Sequence, residues 1–163
     1  MTSSEPGSRE PFTRNQQDQS DRQAAMAIFA RATGEELASG LKAADCATNC
    51  RDLRPPETGL VMARGRISGI GQPFNLGEVT VTRAAIQLAD GSSGFSYLRG
   101  RSQERARLAA IADAYWQNPQ FRKAIETHIV ERVQQRLDSE RRKSKAEVAA
   151  TQVDFFTMVR GED

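Results

Sequence analysis

The side chains able to do chemistry in this sequence are few and scattered. The single histidine, His128, sits between Thr127 and Ile129 in a helical pattern. There it would serve as a proton carrier or substrate contact, or more plainly as a partly buried structural side chain. Ser96 and Ser102 have no histidine near them in sequence to act as a base. Cys46 and Cys50 are spaced like half a metal site, but structural zinc needs four ligands and the histidine lies far along the chain. A third cysteine for an iron–sulfur ligand set is also missing, so both read as ordinary thiols and no metal site is expected. Gly69 and Gly71 lack the later glycine and following helix of a dinucleotide fingerprint. Arginine is better represented. Arg64, Arg66, Arg83, Arg99 and Arg101 fall on strands or their ends, and Arg105 opens a helix. Planar guanidinium forks suit phosphate or carboxylate groups, and a helix start near Ser102 adds free backbone N–H groups. Arg83, Arg99, Arg101 and Arg105 are therefore the candidate anion contacts, with the stretch 99–105 the best of them. The alternative is a solvated face balanced by Glu57, Glu78 and Asp90.

The elements that must position these residues follow from periodicity and punctuation. Residues 1–19 are rich in Ser, Glu, Pro, Gly and Gln without apolar period and are expected to be disordered. A helix is expected from Ser20, with Gln23 at the capping-box position and Ala25, Met26, Ile28, Phe29 and Ala32 on its apolar face. Thr33 with Glu36 is a second capping box leading into Leu37, Leu41 and Ala44, which makes a helical hairpin. Residues 45–58 read as a connection because Pro55 and Pro56 bar helix. Strands follow over GLVMARGRIS, from Phe74 through Val79–Val81, and at Phe95–Leu98 after the Asp90, Gly91 turn. A helix from Ser102 to Gln117 ends at Asn118 and Pro119. Another starts near Gln120, with Phe121, Ile125, Ile129, Val133 and Leu137 four residues apart, a step that drifts around a helix and predicts curvature or an oblique crossing of its neighbour. The expected fold is α+β: an antiparallel sheet of three to four strands, an N-terminal helical hairpin, two C-terminal helices, and an extended C-terminal tail. In residue ranges, 20–137 form one domain, 138–152 a charged helix or linker, and 153–163 an apolar docking tail.

Composition bounds the function. The 163 residues carry 23 basic and 21 acidic side chains, net +2, too balanced to argue for nucleic acid or an anionic membrane. There is no apolar run of about eighteen residues, and the N-terminus lacks a signal-peptide core, so a cytoplasmic location is expected. Mean hydropathy is −0.60, yet Val153, Phe155, Phe156, Met158 and Val159 crowd into the last segment, VDFFTMVRG. Burying such side chains contributes about 1.5–3 kcal/mol each. An extended peptide with apolar groups on both faces needs cover on both, which favours a partner chain over a strap on its own domain. Arg160 would be carried with it.

Several short motifs, in order, resemble one family. They are ETG at 57–59, GE at 77–78, TRAA at 82–85, DG at 90–91, GR at 100–101, DA at 113–114 and, most specific, VDFFTMVRG at 153–161. Over roughly residues 24–161 the chain is similar to the G subunit of the bacterial carbon–phosphorus lyase complex of phosphonate catabolism. That resemblance implies an accessory subunit acting with the H, I and L subunits in a transferase that makes α-D-ribose 1-methylphosphonate 5-triphosphate. ATP and an alkylphosphonate are the implied substrates, with adenine released. Nucleosidase chemistry is implied for the I subunit, the foremost expected partner, and an iron–sulfur cluster with S-adenosylmethionine for the J subunit. No cofactor is expected on this chain alone, and the family pattern transfers no catalytic residue. The competing readings are a stand-alone phosphate-binding module or small hydrolase using His128 and the strand arginines, and a scaffold that homodimerises through the tail when isolated.

Overall fold

The computed structural model describes residues 11–66 and 71–150. The docking tail expected at 153–163, including Val153, Phe155, Phe156, Met158, Val159 and Arg160, lies outside the described residues, as does 1–10.

Helix α1 spans Pro11–Phe29 and α2 spans Gly34–Ala43. The start of α1 at Pro11, rather than Ser20, corrects the expectation of disorder over 11–19. Proline suits a first helical turn, and the polar residues that follow need no apolar stripe to be helical where the helix runs into solvent. Gln17 bonds to Asp21 one turn on, and Asp18 pairs with Arg122 at 3.6 Å. The Thr33 cap forms as read: its hydroxyl accepts from the Glu36 N–H at 3.1 Å while the Glu36 carboxylate accepts from the Thr33 N–H at 2.7 Å.

Strands β1 (Arg51–Gly65), β2 (Phe74–Gln87) and β3 (Ser93–Arg99) form an antiparallel sheet in the order β1-β2-β3. β1 begins within the segment read as a connection, because prolines are excluded from central strands but not from an edge. Register shifts fall between Asp52 and Arg54 and between Arg54 and Glu57, so Leu53, Pro55 and Pro56 pair with nothing on β2. β1 and β2 continue well past the end of β3 as a two-stranded ribbon.

Helix α3 (Gln103–Gln117), capped by Ser102, is the hub of the core. Ala106, Ala109, Ala110, Ile111, Ala112, Ala114 and Trp116 are all buried, and the small side chains let neighbours approach closely. At Gly94 on β3, a Cβ atom would collide with the backbone of α3 at Ala110 and Ala114.

From Pro119 to Ala150 the chain is helical without a break: α4 (Pro119–Ile125), a π turn (Glu126–Val130) and α5 (Glu131–Ala150). The π turn accounts for the four-residue apolar spacing. Each step of four overshoots an α-helical turn by about 40°, and the wider turn absorbs the drift, so Ile125, Ile129 and Val133 all reach full burial. The charged stretch at 138–147 is helix, half-buried at Asp138 and Ser139 and exposed from Glu140 on, and α5 continues through it to Ala150. Among the described residues no helix is long and apolar enough to cross a membrane.

Candidate functional site

The motif residues that lie far apart in sequence meet on the sheet. Glu57, Thr58 and Gly59 of β1 stand opposite Arg83, Thr82 and Val81 of β2. On the inner face the fully buried Thr82 donates its hydroxyl to the Gly100 carbonyl at 2.7 Å. With that proton committed, Thr58 is the donor in the Thr58–Thr82 hydroxyl bond of 3.0 Å. On the outer face Arg83 lays two nitrogens, at 3.0 and 3.2 Å, on Glu57 Oε2, with Arg54 at 3.8 Å. ETG, TRAA and GR thus lock one cross-strand cluster together. Its outer side forms a shallow hollow with Tyr97, which is 53% exposed.

The candidate anion contacts separate. Arg83 is neutralised by Glu57, and Arg101 is exposed at the strand end. Arg99 and Arg105 are brought together: Arg105 Nη2 donates to the Arg99 carbonyl at 2.7 Å, while its Nε is buried with no partner. With Ala27, Ala30 and Arg31 from the end of α1, they line a cavity of about 570 Å³. Arg31 carried no signal in its own neighbourhood; its contribution depends on a fold-back of some seventy residues.

The two sheet edges are managed differently. Gly100 donates to the Thr80 carbonyl at 2.9 Å, so even-numbered residues of β3 point their backbone groups at β2 and odd-numbered ones point outward. Side chains of α3 cover that outer edge. Gln117 donates to the Ser93 carbonyl at 2.9 Å, Asp113 Oδ2 accepts from the Phe95 N–H at 2.9 Å, and Arg105 holds Arg99. By the same alternation the outward backbone groups of β1 are those of Thr58, Leu60 and Met62. Among the described residues no hydrogen bond reaches them. The ribbon beside this bare edge exposes Leu60 (60%), Met62 (51%) and Leu76 (63%).

Asp113, the acid of the DA motif, is structural. Fully buried, it accepts Arg22 Nε at 3.0 Å and Nη2 at 2.7 Å, besides Phe95, and so ties α1, β3 and α3 together. These bonds raise the Arg22 pKa above its ordinary value against the opposing effect of burial. A lone acid inside the apolar run AAIADAYW was the available signal for a buried partner.

His128 lies in the π turn with Nδ1 enclosed and unpartnered. It does not line the arginine cavity. At this crossing α2 comes so close that a Cβ on Gly40 would strike Ile129 and the His128 carbonyl. Both cysteines are free. Burial, with Asp45 adding to it, pushes the Cys46 thiol up to about 11, and burial raises Cys50 as well. Among the described residues no three His, Cys, Asp or Glu side chains gather in a metal-binding group.

Comparison with known proteins completes the description. The sequence model of the family described as "Phosphonate metabolism protein PhnG" matches residues 20–161. The chain is 51% identical over 142 residues to "Alpha-D-ribose 1-methylphosphonate 5-triphosphate synthase subunit PhnG" from Rhizobium meliloti (strain 1021), covering 87% of this chain and 90% of that protein.

Proposed function

The chain belongs to the PhnG family of phosphonate metabolism proteins, and from that premise we propose that it is an accessory subunit of an α-D-ribose 1-methylphosphonate 5-triphosphate synthase, a transferase, in phosphonate catabolism. In this reading the complex transfers the ribose triphosphate of ATP to methylphosphonate, and the chemistry is completed with the H, I and L subunits. Radical chemistry on a later intermediate belongs to the J subunit with its iron–sulfur cluster and S-adenosylmethionine. The contribution of this chain is to build the assembly and shape a neighbour's site.

The observation that carries the reading is the bare edge of β1 with its apolar ribbon. Leu60, Met62 and Leu76 would each gain about 1.5–3 kcal/mol on full burial. A strand edge with free N–H and C=O groups is a template for pairing that monomeric proteins normally guard. Here the fold guards β3 with α3, and guards the start of β1 with Pro55 and Pro56, while among the described residues nothing pairs with the outer edge of the stretch from Thr58 to Met62. Neither serine considered from the sequence is an activated nucleophile: Ser96 spends its hydroxyl on the Ala106 carbonyl at 2.7 Å, and Ser102 is a helix cap. The I subunit is the proposed neighbour at this edge, with the tail as a second anchor.

The test replaces Leu60 and Met62 together by Lys in the co-expressed complex. Both side chains are half or more exposed, so the isolated fold should persist by circular dichroism while co-purification of the I subunit is lost. Undiminished co-purification at high salt would refute the ribbon as the docking element.

A further inference from the structure

The end of α1, the end of β3 and the first turn of α3 meet at one corner. There Arg31, Arg99 and Arg105 line a single cavity of about 570 Å³ whose other walls are Ala27 and Ala30. Among the described residues no carboxylate lines this cavity. Several arginines elsewhere face acids, among them Arg22 with Asp113, Arg83 with Glu57, Arg107 with Asp52 and Arg136 with Glu36, while scattered exposed ones such as Arg51 and Arg132 pair with no acid among the described residues. Among the described residues Arg31, Arg99 and Arg105 face none.

Three like charges around one cavity repel one another, an arrangement that an anion reverses. Arg105 is held in place through Nη2, yet its Nε–H is buried with no acceptor. A buried guanidinium donor left unpaired is costly, and such an orphan marks a place where a ligand oxygen is missing. The start of α3 adds the positive end of a fifteen-residue helix dipole behind Arg105.

The geometry points to a polyphosphate-binding corner, in which the three guanidinium groups clamp contiguous phosphates of a triphosphate. A single carboxylate or monophosphate presents too few oxygens and too little charge for three forks, whereas a triphosphate presents several non-bridging oxygens along its length and about four negative charges. This inference rests on the synthase reading, since the related subunit is named for a product that carries a 5-triphosphate. It goes further by placing the phosphate chain against this subunit rather than wholly within its neighbours.

The experiment titrates the full chain with inorganic tripolyphosphate, ATP and inorganic phosphate by calorimetry at fixed low salt. Tripolyphosphate and ATP are expected to compete for one site and to exceed orthophosphate in affinity by at least tenfold. Arg31→Gln and Arg99→Gln, whose guanidinium groups hold no structural contact, should each weaken tripolyphosphate about tenfold. Arg132→Gln, exposed on α5 and outside the cavity, should leave the affinity within twofold. The same variants in the co-expressed complex should keep subunit composition while raising the KM for ATP. Equal affinity for tripolyphosphate and orthophosphate would overturn the proposal, as would an Arg31→Gln/Arg99→Gln double variant that binds like the parent chain. Failure of the parent chain to co-purify with other subunits would instead sink the synthase reading, with the calorimetric result standing apart from it.

Discussion

Replacing Arg22 by Met strands the Asp113 carboxylate in the core. Asp113 is 1% exposed at its side chain and Arg22 is 32% exposed, so the two partners respond unequally to losing one another. Freed of Asp113, Arg22 can rehydrate through its exposed third. Freed of Arg22, Asp113 keeps the Phe95 N–H and a 3.3 Å contact from Gln117 but has no countercharge. Breaking a buried pair in this way costs about 3–5 kcal/mol, a large part of the 5–15 kcal/mol typical of a domain. With a urea m-value of about 2 kcal/mol/M, the midpoint should fall by about 2 M. Trp116, the single tryptophan and 3% exposed, reports unfolding by fluorescence. The double variant Arg22→Met/Asp113→Asn removes the stranded charge while keeping an acceptor for Phe95. It should therefore be more stable than Arg22→Met alone, with a coupling of at least 1 kcal/mol. A loss below 1 kcal/mol for Arg22→Met, or strictly additive effects, would refute the reasoning.

Two further outcomes are expected. Burial raises the Glu36 carboxyl, but hydrogen bonds from Arg136 and Thr33 outweigh it and hold the group below its ordinary value. A depressed folded pKa gives stability that is present above the unfolded pKa and lost as pH falls through the folded one, so Glu36→Gln should flatten part of the acid limb of a stability–pH curve. Because the pair is partly exposed, the difference should be about 1 kcal/mol at neutral pH and vanish in acid, which thermal melts across pH 3–7 would check. With the Cys46 thiol pushed up to about 11, iodoacetamide at pH 8 should modify at most Cys50 in the native chain and both cysteines in urea, as read by mass spectrometry.

What the sequence made legible was local. The Thr33–Glu36 box, the turn at Asp90 and Gly91, the helix start near Ser102 and the break at Asn118 and Pro119 each depend on a few adjacent residues, and each formed where expected. Legibility failed where tertiary context overrides local rules. Pro55 and Pro56 barred helix and marked the segment as a connection, but an irregular edge strand accommodates them. The polar opening of α1 lacked the apolar period that was used to find helices. The four-residue spacing of Ile125, Ile129 and Val133 was visible, though a π turn rather than curvature alone resolves it. At the candidate site, Arg99 and Arg105 were near enough in sequence to be grouped. Arg31 joins them only through the fold, and Arg83 left the group because Glu57 claims it across the sheet.

The edge of β1 that no described residue covers also bears on how such a chain would be made. A subunit whose free form displays an unpaired strand beside exposed leucine and methionine is a hazard for as long as it waits alone, since identical copies can zip edge to edge. On the proposed docking, its useful lifetime as an orphan is set by its concentration, and its safest route is synthesis in step with the neighbour that would cover it. The edge that would make the complex would thus also tie the supply of this chain to that of its companions.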